Sequence, residues 1–376
     1  MRVRTILVAT TALALTAVLA GPAVAASPAT DHAATRAAVE AAVRDGVPGV
    51  TVTARDAHGT WSTTAGVGDI RTDRPRSAHD RYRVGSVTKT FVATVMLQLE
   101  AEGRLSLDDT VEKWLPGVVH GHGHDGSRIT LRRLLNHTSG IFNYTEDDHF
   151  LNAYFVKDGF FKHRYDPKTP EDLLAMAMSH RPNFEPGTSW SYSNTNYLVA
   201  ALVIEKVTGH SYGQEIHDRI IAPLHLTATS VPGTRTTVPR PSSRAYSKFS
   251  GSATDPSYDV TYLNPAIAYG SGEMISDSAD LGRFYRALLT GRLLPPQQLK
   301  EMKTTVQVAD HARYGLGLMD RTLSCGVHVW GHDGGILGSV TEAVTTADGS
   351  HSLAFNLNGD WVGDTDTVIE AEFCGR

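Results

Sequence analysis

The sequence predicts an α/β protein in which one sheet is built from both ends of the chain and a helical lobe is inserted between them. Near the start, residues 47–55 and 59–65 have the pattern of a strand pair that turns at His58-Gly59. Towards the other end, four more strand patterns follow one another at residues 314–318, 327–330, 339–345 and 352–357. The region between them is mainly helical in pattern, so the two ends are expected to share one sheet.

The predicted helices rest on apolar residues at helical spacing. The strongest pattern covers residues 87–102 and ends at Gly103, a stop signal. Further helices are predicted at residues 34–43, 131–135, 173–178 and 197–207, with a closing helix that runs to Cys374. Residues 231–260 are rich in Pro, Ser, Thr and Gly and are predicted to form a long loop. Eight aromatic residues between 142 and 165 are either packing surface or one wall of a substrate cleft.

The composition is that of a globular protein of 376 residues, with 41% hydrophobic and 20% charged residues. The formal charge is −5, and basic residues form no run. We therefore expect no nucleic-acid partner and no stable insertion into a membrane.

Residues 1–26 are predicted to be a signal peptide. Two arginines form a basic start, residues 6–20 are apolar apart from three threonines, and Ala23-Val24-Ala25 offers a cleavage site. The apolar run is short for a membrane anchor, and no stop-transfer pattern follows it. We expect residues 27–376 to be secreted and extracellular.

The two cysteines, Cys325 and Cys374, both lie near the C-terminus. In an oxidising compartment they are expected to form one disulfide that ties the end of the chain to a strand. A catalytic thiol is the alternative, but no second feature activates either cysteine.

The first motif that could carry chemistry is Ser86-Val87-Thr88-Lys89, at the start of the strongest helix. Positions i and i+3 share a helix face, so the Lys89 amine can reach the Ser86 hydroxyl and take its proton when burial depresses the lysine pKa. The alternative is that Ser86 caps the helix and Lys89 is solvated.

Two further motifs follow along the chain. Tyr192-Ser193-Asn194 precedes an apolar helix, and its first and third side chains point the same way if the segment is extended. The phenol can then shuttle protons and the amide can orient a substrate carbonyl. Trp330-Gly331-His332-Asp333-Gly334-Gly335 ends a strand with a possible proton donor and glycines that permit close approach of a substrate. Taken singly, the two motifs also fit a polar helix start and a surface histidine in a glycine turn.

In this order, the three motifs resemble those of the penicillin-recognising serine hydrolases, which include secreted serine DD-carboxypeptidases, class C β-lactamases and related esterases. The resemblance covers nearly all of the predicted mature chain. It extends through Tyr82-Arg83-Val84-Gly85, His137-Thr138-Ser139-Gly140, Pro186-Gly187-Thr188, Thr195-Asn196, Tyr314-Gly315-Leu316-Gly317-Leu318 and Leu323-Ser324-Cys325-Gly326.

The resemblance implies a β-lactamase/transpeptidase-like fold, with an antiparallel sheet flanked by helices and an inserted all-α lobe. The α/β lobe would comprise about residues 27–85 and 270–376, and the helical lobe about residues 86–269. Small peptides or peptidoglycan-derived peptides would be the substrates, β-lactams would be substrates or inhibitors, and no cofactor or metal would be required.

The resemblance also implies roles for the motif residues. Ser86 would attack a carbonyl and become acylated, with Lys89 as its base or as the activator of Tyr192. Tyr192 would pass the proton to the leaving group, and Asn194 would hold the substrate amide. His332 would occupy the third-motif position of the family.

The glycines after His332 would line the substrate. Asp333, Gly334 and Gly335 would bind it, and the backbone N–H groups of Ser86 and Gly335 would form the oxyanion hole. The activity implied is that of a D-alanyl-D-alanine carboxypeptidase, with a class C-like β-lactamase, an esterase or a D-amino-acid amidase as alternatives.

Two positions depart from the carboxypeptidase pattern. Asp333 stands where that group has a threonine, and Met319 stands where it has an arginine for the substrate carboxylate. Arg321 is close in sequence and is a candidate replacement for that arginine. Because an anion repels a carboxylate, we expect this enzyme to favour an amide, ester or amine-bearing substrate.

Two alternatives belong to other classes of protein. His120-Gly121-His122-Gly123-His124-Asp125 has the alternating histidines of a zinc-binding tract, although such a segment is also typical of a polar loop. A penicillin-binding homologue without catalysis is the other, but all of the expected nucleophilic groups are present.

Overall fold

A nine-stranded antiparallel sheet joins the two ends of the chain. The structure is a computed structural model that describes residues 32–250, 252, 254–361 and 364–375, so the predicted signal peptide lies outside the described residues. The strands are β1 (Gly49–Asp56), β2 (Gly59–Asp69), β3 (Arg74–Pro75), β4 (Tyr82–Arg83), β5 (His120–Gly121), β6 (His124–Asp125), β7 (Tyr246–Ser247), β8 (Tyr258–Asp259), β9 (Ile275–Ser276), β10 (Val306–Ala309), β11 (Ala312–Tyr314), β12 (Met319–Thr322), β13 (His328–Ile336), β14 (Ser339–Thr346) and β15 (Ser352–Leu357).

The strand order in the large sheet is β10-β11-β12-β13-β14-β15-β1-β2-β3. The last strand pairs with the first, with Val52 opposite Phe355, so strands from both chain ends form one sheet. Buried valines on β1 explain this central position, because both neighbours and both faces cover the strand. The antiparallel sheet predicted from the two chain ends is confirmed.

The described residues form twelve α-helices. They are α1 (Ala33–Arg44), α2 (Thr88–Ala101), α3 (Val111–Trp114), α4 (Leu131–Leu135), α5 (Asp148–Tyr154), α6 (Lys157–His163), α7 (Pro170–Met178), α8 (Asn194–Thr208), α9 (Tyr212–Ile216), α10 (Ser278–Leu289), α11 (Pro296–Met302) and α12 (Thr365–Cys374). None of the helices that the structure describes is long and apolar enough to cross a bilayer.

Two hydrophobic clusters lie on opposite sides of the sheet. The smaller cluster joins α1 and α12 to the sheet through residues such as Val39 and Ile369. The larger one contains Phe284 of α10 together with apolar residues of α2 and α8. Helix α2 is buried almost all round, as expected for a central helix, and the turn that carries Ser86 leads directly into it.

Two sequence predictions need correction or refinement. The strand predicted at residues 314–318 is wrong, because β11 ends at Tyr314 and β12 begins at Met319. Gly317 between them has φ 66°, and a Cβ there would lie 2.7 Å from the Cβ of Ala93 on α2. Of the eight aromatic residues between 142 and 165, four are buried and three are exposed, so this segment is packing surface for the most part.

The predicted disulfide between Cys325 and Cys374 is present and ties α12 to the segment between β12 and β13. The two residues are 49 positions apart, and closing a loop of that length contributes about 4 kcal/mol in the chain-entropy model.

We expect the Cys325→Ser/Cys374→Ser double variant to lose about this much free energy of unfolding. Urea denaturation of the variant, beside the wild type with and without reductant, measures the loss. Equal stability of oxidised and reduced wild type would contradict the expectation.

Candidate active site

The Ser86 hydroxyl and the Lys89 amine meet at the start of α2. Lys89 Nζ donates a hydrogen bond to Ser86 Oγ at 2.9 Å. Ser86 lies in a short 3₁₀ turn over Gly85–Val87. The left-handed φ of 53° at Gly85 favours glycine, and a Cβ there would lie 2.7 Å from the backbone nitrogen of Gly335. The turn therefore brings Ser86 close to strand β13.

Lys89 is completely buried, and all three of its N–H groups have acceptors. Besides Ser86, it donates to Asn194 Oδ1 at 2.7 Å and to the carbonyl of Ser271 at 2.8 Å. Burial lowers the pKa of Lys89 well below its ordinary value, although the charge of Asp333 opposes this shift. A neutral amine is thus accessible, and it can take the proton of Ser86.

The orientation of Asn194 is fixed by neighbours that the sequence did not single out. Asn143 Oδ1 accepts from the backbone N–H of Asn194 at 3.0 Å and from its Nδ2 at 3.3 Å. Thr145 Oγ1 accepts from the same Nδ2 at 3.2 Å. These contacts turn Oδ1 of Asn194 towards Lys89, so in this structure Asn194 positions the base.

Tyr192 lies over the lysine, with Lys89 Nζ 4.8 Å from the centre of its ring. Burial and the charge of Asp333 raise the pKa of Tyr192 well above its ordinary value, and a hydrogen bond with Ser86 only partly offsets the rise. The phenol therefore keeps its proton at neutral pH. Opposite pKa shifts in adjacent groups assign roles: Lys89 is suited to be the base, and Tyr192 is suited to be the acid.

Strand β13 lies against the Ser86 turn because Gly334 has no side chain. A Cβ on Gly334 would lie 2.0 Å from the carbonyl oxygen of Val84 and 3.0 Å from the nitrogen of Ser86. Gly335 has open space instead, and its backbone lies beside Gly85. The backbones of Ser86 and Gly335 thus flank one space, where the oxyanion hole is expected.

His332 and Asp333 are neighbours on β13 that differ in exposure. His332 is fully buried, and its nitrogens contact the Tyr314 hydroxyl at 2.9 Å and the carbonyl of Asp333 at 2.6 Å. Those partners occupy both nitrogens, so His332 does not bond to Ser86, Lys89 or Tyr192 in this structure. Its ring centre is 6.4 Å from that of Tyr192.

The Asp333 carboxylate is 55% exposed. Desolvation favours its neutral form, but the hydrogen bond with His332 and the charge of Arg321 together hold the pKa of Asp333 well below its usual range. Its charge in turn raises the pKa of Lys89 and of Tyr192. Asp333 is therefore an ionised group whose charge acts on both reacting residues.

Arg321 is not a replacement for the missing arginine. Its guanidinium pairs with Glu342 and lies 3.4 Å from Asp366 Oδ1. Met319 lies opposite Gly331 in the register of β12 and β13. The positive charge of Arg321 is thus already paired with carboxylates.

The histidines of the predicted zinc-binding tract are not brought together. His124 is buried, whereas His120 and His122 are exposed on the β5–β6 hairpin. Among the described residues, the only group of three or more His, Cys, Asp and Glu side chains close enough to share an ion is Cys325, Glu370 and Cys374. The two cysteines of that group form the disulfide.

The comparison with protein families matches this geometry. A family model described as Beta-lactamase matches residues 34–367. The chain belongs to the β-lactamase family. The arrangement of Ser86, Lys89 and Tyr192 is therefore found in the fold that the sequence resemblance implied.

Curated relatives of this β-lactamase-family chain include two proteins of Bacillus subtilis (strain 168). The putative penicillin-binding protein PbpX is 31% identical over 63% of this chain and 52% of its own length. Penicillin-binding protein 4* is 27% identical over 78% of this chain and 64% of its own length. The chain thus spans between about half and two thirds of these relatives.

Solved structures similar to the chain include two amide hydrolases. A D-stereospecific amidohydrolase from Streptomyces sp. is 60% identical, with a TM-score of 0.88, over 92% of this chain and 99% of that one. A D-amino acid amidase from Ochrobactrum anthropi SV3, complexed with L-phenylalanine amide, is 26% identical, with a TM-score of 0.78, over 90% of this chain and 97% of that one.

Gly334 and Gly335 of β13 provide a matched pair for a test. Gly334→Ala places a methyl group against Val84 and the nitrogen of Ser86, so we expect kcat/KM to fall by about 100-fold or more because the oxyanion site is displaced. Gly335→Ala meets open space and should unfold at the wild-type temperature. Ester hydrolysis and thermal unfolding measure the two effects. Full activity of Gly334→Ala would show that β13 does not position Ser86.

The pH dependence of acylation tests Lys89 as the base. The amine must be neutral to accept a proton, so kcat/KM for an ester should rise with pH along a limb whose midpoint lies well below the ordinary lysine range. Because the Asp333 charge raises the pKa of Lys89, Asp333→Asn should move the limb to lower pH. A limb that stays in place or moves upward would contradict this electrostatic coupling.

Proposed function

We propose that this β-lactamase-family protein is a secreted serine hydrolase that cleaves amides and esters of D-amino acids with a free amino group. The observation that carries the proposal is Asp333, an ionised carboxylate beside the reacting groups, at a position where the carboxypeptidases have a threonine. The similarity to a D-stereospecific amidohydrolase and to a D-amino acid amidase supports the same substrate class. Secretion is proposed from the N-terminal sequence alone.

In the proposed reaction, neutral Lys89 takes the proton of Ser86 as Ser86 Oγ attacks the substrate carbonyl. The developing oxyanion is stabilised by the backbone N–H groups of Ser86 and Gly335. Tyr192 donates its proton to the leaving amine or alcohol, and Lys89 then returns a proton to Tyr192. Water hydrolyses the acyl-enzyme, which releases the D-amino acid and restores the Ser86 hydroxyl.

Asp333 would select the substrate through charge. An ammonium group on the substrate gains a charge-assisted hydrogen bond with an ionised carboxylate, worth about 1.5–3 kcal/mol. A substrate carboxylate at the same place would be repelled, and Arg321 is already paired with Glu342. An amidase is therefore better supported here than the D-alanyl-D-alanine carboxypeptidase or the β-lactamase that the motifs also permit.

A panel of substrates tests the proposal. We expect the highest kcat/KM for a D-amino acid amide with a free amino group, and much lower values for its L-enantiomer, its N-acetyl derivative and an N-acylated D-Ala-D-Ala peptide. Asp333→Asn should lower kcat/KM for the free amine by roughly 10- to 100-fold and leave the N-acetyl amide little changed. Asp310→Asn, on the turn between β10 and β11, is the charge-matched control. Preference of the wild type for the D-Ala-D-Ala peptide would reject the proposal.

The converse change should restore recognition of a carboxylate. Asp333→Thr combined with Met319→Arg removes the anion and supplies a cation, so release of D-alanine from an N-acylated D-Ala-D-Ala peptide should increase. The single variants are the controls, because each makes half of the change. No gain in the double variant would show that these positions do not select the substrate carboxylate.

A further inference from the structure

Two buried histidines lie on either side of the Tyr314 hydroxyl beneath the active site. Tyr314 Oη is 3.2 Å from Nε2 of His137 and 2.9 Å from Nε2 of His332. All three side chains are buried. His137 adopts a left-handed φ of 61°, a conformation that a residue other than glycine takes only when its surroundings hold it there.

The proton on His137 is fixed by donors at its other nitrogen. The backbone N–H of Ser193 points to Nδ1 at 3.2 Å, and a backbone N–H can only donate. Nδ2 of Asn196 also donates to Nδ1, at 3.0 Å, because Ser139 donates to Oδ1 of the same amide at 2.6 Å. Nδ1 of His137 therefore carries no hydrogen. Burial holds the pKa of His137 well below its usual value, so this neutral ring carries its hydrogen on Nε2 and donates to Tyr314.

The proton on His332 is fixed by acceptors. The carbonyl oxygen of Asp333 lies 2.6 Å from Nδ1, and a carbonyl can only accept. The ionised carboxylate of the same residue lies 3.3 Å from Nδ1. Nδ1 therefore carries a hydrogen, and when this is the only hydrogen on the ring nitrogens, Nε2 accepts the hydroxyl hydrogen of Tyr314.

We propose that His137 and Tyr314 are positioning residues that join the two walls of the active-site cleft through a one-directional chain of hydrogen bonds. The chain runs from Ser193 N–H through His137, Tyr314 and His332 to Asp333. It holds His332 neutral with its proton on Nδ1, and so holds Asp333 in place to receive the substrate ammonium. The last step rests on the proposed function.

The hydrogen bonds can run in only one direction, because the Ser193 N–H at one end can only donate and the Asp333 carbonyl at the other can only accept. Ser193 lies between Tyr192 and Asn194 on the helical side, and Asp333 lies on β13 on the sheet side. Turning either ring over would leave a buried donor or acceptor without a partner, which is unfavourable. The arrangement therefore links the second and third motifs with defined proton positions at every step.

The Tyr197 hydroxyl is the alternative acceptor for the hydroxyl hydrogen of Tyr314. It donates to the carbonyl of Leu135 at 2.7 Å and interacts with the Tyr314 hydroxyl. If Tyr314 donated to Tyr197 instead, Nε2 of His332 would carry a hydrogen. His332 would then be doubly protonated, with Nδ1 still bonded to Asp333.

Nitrogen NMR of the full chain, labelled with ¹⁵N-histidine, distinguishes the two arrangements. The signals are assigned by their loss in His137→Gln and His332→Gln. At pH 7.5 we expect His137 to be neutral with its hydrogen on Nε2, and His332 to be neutral with its hydrogen on Nδ1. A His332 ring that carries hydrogen on Nε2, alone or on both nitrogens, would overturn the proposal.

Kinetics of Tyr314→Phe test what the chain does for the substrate. Loss of the hydroxyl should raise KM for a D-amino acid amide with a free amino group about 10-fold and leave kcat/KM for its N-acetyl derivative nearly unchanged. Tyr197→Phe is the matched control, because it removes a neighbouring hydroxyl outside the chain and should not change the ratio of the two KM values.

An equal loss on both substrates in Tyr314→Phe would mean a merely structural role and would overturn the proposal. If the wild type shows no preference for the free amine, the proposed function fails. The histidine spectra still decide whether the chain of hydrogen bonds exists. The two failures are therefore distinguishable.

Discussion

The burial of the Lys89 amine is the constraint on which the rest of the site depends. A buried ammonium without partners is costly, and the fold meets this cost with three acceptors around Nζ, one of which is the Ser86 nucleophile. The same burial lowers the pKa of Lys89. One physical cause therefore provides both the packing requirement and the base.

The second constraint is the close approach of β13 to the Ser86 turn. Gly85 and Gly334 occupy positions where a Cβ would lie within 3.0 Å of the opposing backbone. This contact has no side chain, so it sets the distance between the nucleophile and the strand by backbone geometry alone. The strands from the end of the chain are ordered on the sheet beside β1, and the site lies where this sheet meets α2.

The sequence was sufficient for the parts of the fold and site that have strong local signals. The helix at Thr88–Ala101, the strands of both chain ends and the contact of Ser86 with Lys89 follow from spacing. The strand expected at residues 314–318 failed because Gly317 must pass α2. The carbonyl of Ser271 was missed because any residue supplies one. Arg321 was named, but its ion pair with Glu342 was missed because it is a contact between strands. His137 and Tyr314 lay in segments that carried the family resemblance, but nothing local gave them a role.

The charge of Asp333 connects substrate choice with the reacting groups. In the free enzyme it raises the pKa of both Lys89 and Tyr192, which makes the first a less available base and the second a weaker acid. A substrate ammonium bound to Asp333 would cancel that charge, so both pKa values would fall. Lys89 would then lose its proton more readily and Tyr192 would donate more readily. A substrate without the ammonium would leave the charge of Asp333 uncompensated, so both pKa values would stay raised. Selection for the amine would therefore act on acylation as well as on binding.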